Sequence, residues 1–116
     1  MTSKETALKA AEILNDKKAE NIKVLEVKGL TSIGDYFVIC NGTSSTHIKS
    51  LGGEVEEKLK ECGVAVHHSE GYSSANWILL DFNEVIIHIF DREASNFYDL
   101  ERLWTDAVQL DLSHLN

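Results

Sequence analysis

The chain predicts an α/β (α+β) fold, a mixed five-stranded sheet flanked by helices, and three features of the sequence carry that prediction. Helical repeats of apolar residues follow Thr2 and Ser44 and alternate with runs rich in β-branched residues. The run from Trp77 to Phe90 places two apolar arms around Asp81-Phe82-Asn83-Glu84, the pattern of an antiparallel hairpin. A third helical stripe follows, so the order α-β-β-α-β-β-β-α leaves a mixed sheet with helices to cover it.

Thr2, with Glu5 three residues on, forms a capping box, and Ala7, Leu8, Ala11 and Leu14 recur at helical spacing, which predicts a helix to about Lys18. Ile22, Val24 and Val27 alternate with Lys23 and Glu26 as a first strand, and the segment Gly29 to Gly34 is a turn or loop. Asp35 to Cys40 is apolar on both faces, hence a central strand. Asn41-Gly42-Thr43-Ser44-Ser45 ends it and caps a second helix, with Ile48, Leu51, Val55 and Leu59 facing inward and Gly63 as the stop. Val64 to His67 reads as a short third strand, and Ser69 to Ala75 as a loop.

In the hairpin, Phe82-Asn83 is expected as the two-residue loop, because Asn83 tolerates the left-handed conformation. Leu80 then faces Val85, Leu79 faces Ile86 and Trp77 faces His88. One face, with Ile78, Leu80, Val85, Ile87 and Ile89, is core. The other carries Trp77, Leu79, Ile86, His88 and Phe90 and ends in Asp81 and Glu84, a composition that suits a surface meeting a partner. A last helix is expected from between Asp91 and Ser95 to about Ala107, with Phe97, Leu100, Trp104 and Ala107 as its buried stripe. The weak alternation of Val108, Leu110 and Leu112 predicts an edge strand or a frayed end.

A length of 116 residues and 43% hydrophobic content fit a single domain, residues 1–116, that buries its own core. No apolar run approaches the ~20 residues of a membrane span, and the polar start of the chain does not follow a signal-peptide pattern, so the expectation is a soluble, cytoplasmic protein without membrane contact. Cys40 and Cys62 are far apart in sequence and are expected as small buried hydrophobes.

The net charge of -8 is uneven: from Ser69 onward nine acidic residues stand against Arg92 and Arg102 alone. Such a surface repels a nucleic-acid backbone and attracts a basic protein, which argues against direct DNA binding.

Candidate catalytic groups are sparse. Gly42-Thr43-Ser44-Ser45 sits where a strand gives way to a helix, a context that can cradle phosphate, but it lacks the lysine of a Walker loop and the spacing of a dinucleotide fingerprint. Asp35, Asp81, Glu84 and Asp91 supply carboxylates, yet no Asp-x-Asp occurs to seat two metals. His67 and His68 are adjacent and point to opposite faces of a strand, and no His-x-x-x-His exists, so no metal site is expected. Nothing resembles a nucleophile elbow. The expectation is a non-enzyme without a cofactor.

The blocks Asp35-Tyr36-Phe37-Val38-Ile39-Cys40-Asn41-Gly42-Thr43-Ser44-Ser45, Glu70-Gly71, Trp77-Ile78-Leu79-Leu80-Asp81-Phe82, Val85-Ile86-Ile87-His88-Ile89-Phe90 and Phe97-Tyr98-Asp99-Leu100-Glu101-Arg102-Leu103-Trp104 resemble, in order, the Iojap-like family of ribosomal silencing factors. The resemblance implies a nucleotidyltransferase-like fold without nucleotidyltransferase activity. It implies a translation repressor that binds the large ribosomal subunit through its fourteenth large-subunit protein, a basic ribosomal protein, and blocks joining of the small subunit under nutrient limitation. It also implies a homodimer when free, and for some members a role in large-subunit assembly. Asn41 departs from the serine usual at that point of the family pattern.

Combined with the charge distribution, these readings predict a partner-binding set of Glu70, Trp77, Leu79, Asp81, Glu84, Ile86, His88 and Tyr98. The rival expectation is a divergent nucleotidyltransferase that uses Gly42, Thr43 and Ser44 for a triphosphate and Asp35 with Asp81 for magnesium.

Overall fold

The computed structural model of the chain describes residues 1–91 and 106–115. Helix α1 (Ser3–Asp16) opens on the expected capping box: the Glu5 N–H donates to Thr2 Oγ1 at 3.1 Å, and the Thr2 N–H to Glu5 Oε1 at 2.8 Å. Strands β1 (Glu20–Glu26) and β2 (Tyr36–Asn41) follow, then α2 (Ser45–Glu61), β3 (His68–Glu70), β4 (Trp77–Asp81), β5 (Val85–Phe90) and β6 (Val108–Gln109). The sheet has six strands rather than five, in the order β3-β4-β5-β2-β1-β6, because the tail adds an edge strand along the end of β1. β2 and β5 run parallel at its centre, and the other neighbours are antiparallel.

Alternation along the strands splits the interior into two apolar clusters. Ala7, Ala10, Ala11 and Leu14 of α1 join Ile48, Leu51, Val55 and Leu59 of α2 over one sheet face, where Val38, Ile78, Leu80, Ile87 and Ile89 are fully buried. Leu25, Val27, Phe37, Ile39, Ile86 and Phe90 form the second cluster on the opposite face. The core face expected of the hairpin is therefore the one beneath the two helices.

The hairpin loop is shifted by one residue from expectation. Trp77 pairs with Phe90, Leu79 with His88 and Asp81 with Ile86, and the Phe82 N–H donates to the Val85 carbonyl at 2.9 Å, so Asn83-Glu84 is the loop. Phe82 is 6% exposed and packs in the main cluster; a place at the tip would have put its ring in water. Asn83 takes φ 73, and its N–H is held by Asp81 Oδ1 at 2.7 Å. Moving the turn centre by one residue changes every partner by two, which leaves both hairpin faces as expected.

Two other expectations are corrected. Val64 to His67 do not form the third strand: Val64 and Val66 pack as partly buried side chains on the main cluster, and the strand is the exposed His68–Glu70. Cys62 is exposed at the C-terminal cap of α2, where the chain has already left the buried stripe, whereas Cys40 is buried as expected and burial pushes its thiol far up. Asn41 ties three strands together, accepting from the Asn21 side-chain amide at 3.1 Å and donating to the carbonyls of Phe90 and Asp91. A serine would be too short to span them.

Candidate functional site

Sheet pairing arranges the predicted residues in rows across β3, β4 and β5. Glu70 lies opposite Leu79, and Leu79 opposite His88; one row along, His68 lies opposite Asp81, and Asp81 opposite Ile86. Directly paired residues project from the same face, so Glu70, Leu79, Asp81, Ile86 and His88 share one with Trp77. A groove of about 270 Å³ beside them is lined by Glu70, Gly71, Ser74, Asn76, Trp77 and Leu79. A wider hollow of about 590 Å³ lies between α2 and Tyr72, away from these residues.

Exposure divides the set. Glu70 and Glu84 are exposed, while Trp77, Leu79 and Asp81 are half-buried. Ile86 and His88 are buried, at 2% and 5% exposure, so they back the accessible part of the face from within. Tyr98 lies outside the described residues, as does most of the expected last helix, including Trp104.

Trp77 is positioned by Phe90 and His88. Its ring stacks on Phe90 at 5.5 Å and on His88 at 6.0 Å, and its indole N–H donates to His88 Nδ1 at 3.3 Å. Phe37 meets the His88 ring edge-on at 5.0 Å. To accept from Trp77, Nδ1 must carry no proton, which puts the hydrogen on Nε2. That Nε2 is buried without a partner among the described residues, and burial drives the imidazole down to about 4, so His88 is neutral at pH 7. Gly71 permits the groove: at φ 93 it lies so near the Trp77 carbonyl that a Cβ would stand 1.9 Å from that oxygen.

At the rim, Glu70 Oε1 lies 3.1 Å from His68 Nε2, and the Asp81 carboxylate is occupied in holding the turn. Sequence reading missed His68, whose facing position is set by the true extent of β3. It also missed Ser74 and Asn76, which only the groove brings to Trp77.

The groups expected of a nucleotidyltransferase do not come together. Asp35 precedes the first residue of β2, and Asp81 is linked through Ile86 to Phe37 at that same end. Gly42 follows the last residue, so the length of β2, six residues and about 20 Å, separates acids from loop. Two amides of the loop are also engaged: the Gly42 N–H donates to the Phe90 carbonyl at 2.9 Å, and the Thr43 N–H to His47 Nδ1 at 3.0 Å. Plain helix capping accounts for Ser44, the N-cap of α2.

Comparison with known proteins yields one consistent assignment. The family model described as "Ribosomal silencing factor during starvation" matches residues 1–116. Ribosomal silencing factor RsfS of Bacillus subtilis is 37% identical over 103 residues, covering 89% of this chain and 87% of its own. A mouse protein named "Mitochondrial assembly of ribosomal large subunit protein 1" is 31% identical over 80% of this chain and 42% of its own length. The crystal structure of protein CV0518 from Chromobacterium violaceum superposes with a TM-score of 0.86 at 35% identity, over 90% of this chain and 88% of that one. With its whole length matched and its fold shared, the chain belongs to the RsfS family of ribosomal silencing factors, the Iojap-like family.

Proposed function

We propose that the chain is a non-enzymatic translation repressor, acting in the cytoplasm, that binds the large ribosomal subunit through its basic fourteenth protein and prevents the small subunit from joining. The observation that carries this reading is the sheet-edge groove, in which an indole pinned by His88 and Phe90 stands beside Leu79 and Glu70, on a face that continues along β4 to Asp81 and the turn bearing Glu84. A rigid aromatic beside apolar surface is where binding energy concentrates, and an acidic rim selects a basic protein over the ribosomal RNA around it. The repression is steric: a domain seated at the subunit interface needs no chemistry to keep two large bodies apart. The free chain is a homodimer in this reading, and self-association competes with docking.

The separation of Asp35 and Asp81 from Gly42 counts against the nucleotidyltransferase reading. That reading requires ATP, GTP or CTP with magnesium to raise the melting temperature, and no shift is expected.

A second reading, assistance in large-subunit assembly, is favoured by the name of the mouse relative. It uses the same docking face and differs in when the protein is bound. Sedimentation through sucrose gradients tests both: co-migration with mature large subunits supports repression, whereas association confined to precursor particles supports assembly. Migration at the top of the gradient in both cases contradicts the docking itself.

A further inference from the structure

Among the described residues the large hydrophobic side chains that stand exposed are Met1, Leu30, Ile33 and Val108. Three of these four collect at one end of the sheet. Glu26, the last residue of β1, pairs with Val108 on one side and Tyr36 on the other, and Tyr36 pairs with Val85. The segment bearing Leu30 and Ile33 joins Glu26 to Tyr36 at that same level, next to the β4–β5 turn. This end is opposite the one where Trp77 pairs with Phe90.

The segment is held in place. The Val27 N–H donates to the Asp35 carbonyl at 2.8 Å, and the Leu30 N–H turns back to Val27 at 2.9 Å around Gly29 at φ 84. Thr31 Oγ1 accepts the Ile33 N–H at 3.2 Å, and the Glu84 carbonyl accepts the N–H groups of both Asp35 and Tyr36. Gly34 approaches the turn so closely that a Cβ would stand 3.2 Å from the Glu84 carbonyl oxygen. Ile33 is nonetheless 63% exposed and Leu30 45%. Apolar side chains presented on an ordered scaffold lose little conformational freedom on binding, which is the property of a contact surface.

The surrounding charge selects the partner. Among the described residues, Glu26, Asp35, Asp81, Glu84 and Asp106 lie at this end against Lys28, and none of the five forms an ion pair with another described residue. A second copy meeting this end face to face would set acid against acid, and nucleic acid would be repelled.

We propose that the sheet end formed by Leu30, Ile33 and Val108 is a second docking surface, which takes a segment of a basic protein presenting an aliphatic side chain between lysines or arginines. The proposal rests on the ribosome-binding reading above, because Asp81 shares the sheet face of Trp77 and also lies at this end, and it extends the contact along the sheet from Trp77.

The test is a binding titration of the full chain against purified bacterial large ribosomal subunits, with the Leu30→Ser/Ile33→Ser double variant, Trp77→Ala and Glu26→Lys compared with wild type. Both serine positions are exposed, so the double variant should keep the wild-type melting temperature while binding at least tenfold more weakly. Glu26→Lys should also bind more weakly. Unchanged affinity of the double variant beside a weakened Trp77→Ala overturns this inference and leaves the ribosome-binding reading standing. Tighter binding by Glu26→Lys would identify RNA as the neighbour and overturn the proposed basic segment. No binding by wild type overturns both.

Discussion

The indole N–H of Trp77 donates to Nδ1 of the buried, neutral His88 at 3.3 Å, and the two rings stack with an interplanar angle of 25°. The bond links an apolar layer that never meets solvent to the groove that does. Trp77 is thus fixed in advance, so a partner seated on it does not bear the cost of ordering that side chain. Trp77→Ala is expected to weaken binding to the large subunit by about 2 kcal/mol or more, roughly thirtyfold in Kd. Equal affinities for the folded variant and wild type would remove Trp77 as an anchor.

His88 makes stability depend on pH in a defined window. The imidazole titrates near 6.5 when unfolded and is lowered to about 4 in the fold, by burial. As pH falls between those values the unfolded chain takes up the proton first. The stability contributed by the neutral, buried ring is therefore full above about 6.5 and lost progressively toward 4, a change on the order of 3 kcal/mol. Urea midpoints at pH 7 and pH 4.5 should fall further apart for wild type than for His88→Leu. Parallel pH profiles for the two proteins would contradict the assignment.

Two glycines should respond in opposite directions to alanine. Gly71→Ala forces a Cβ onto the Trp77 carbonyl at a positive φ, and is expected to cost about 2 kcal/mol or more and to deform the groove. Gly53, on the exposed side of α2, has open space where a Cβ would stand, with no described residue beyond its own turn of helix within 4 Å, so Gly53→Ala should stabilise by about 0.5–1 kcal/mol. Denaturant unfolding of both variants checks the contrast.

Glu84 offers the cleaner test of the acidic rim. The Asp81 carboxylate holds the Asn83 N–H, so reversing its charge disturbs the turn, whereas the Glu84 side chain is exposed. Glu84→Lys should slow association with the large subunit and flatten its salt dependence, with dissociation little changed. Stopped-flow association rates across a salt series measure both.

The sequence made the two hairpin faces legible because side-chain alternation has a period of two and survives a shift of the loop. It did not reveal the loop itself, since Asn83 suits a turn in either register and only the burial of Phe82 decides between them. Residues His68–Glu70 carry no apolar signal: they form a strand because their backbone pairs with β4, while the β-branched Val64 and Val66 beside them were the misleading cue. Parallel pairing of β2 with β5 is a contact between distant segments that no local pattern records. The same holds for the site. Glu70, Trp77 and Leu79 were legible as an acid-edged apolar face, but the burial of Ile86 and His88 follows from the second cluster on that side of the sheet.

Occlusion is tested most directly by subunit joining, followed by light scattering after small subunits are mixed with large subunits preloaded with the protein. The joined-ribosome signal is expected to fall in proportion to the fraction of large subunits occupied, and Trp77→Ala to restore it. Joining at the normal rate and extent on large subunits shown to carry the protein would contradict steric repression.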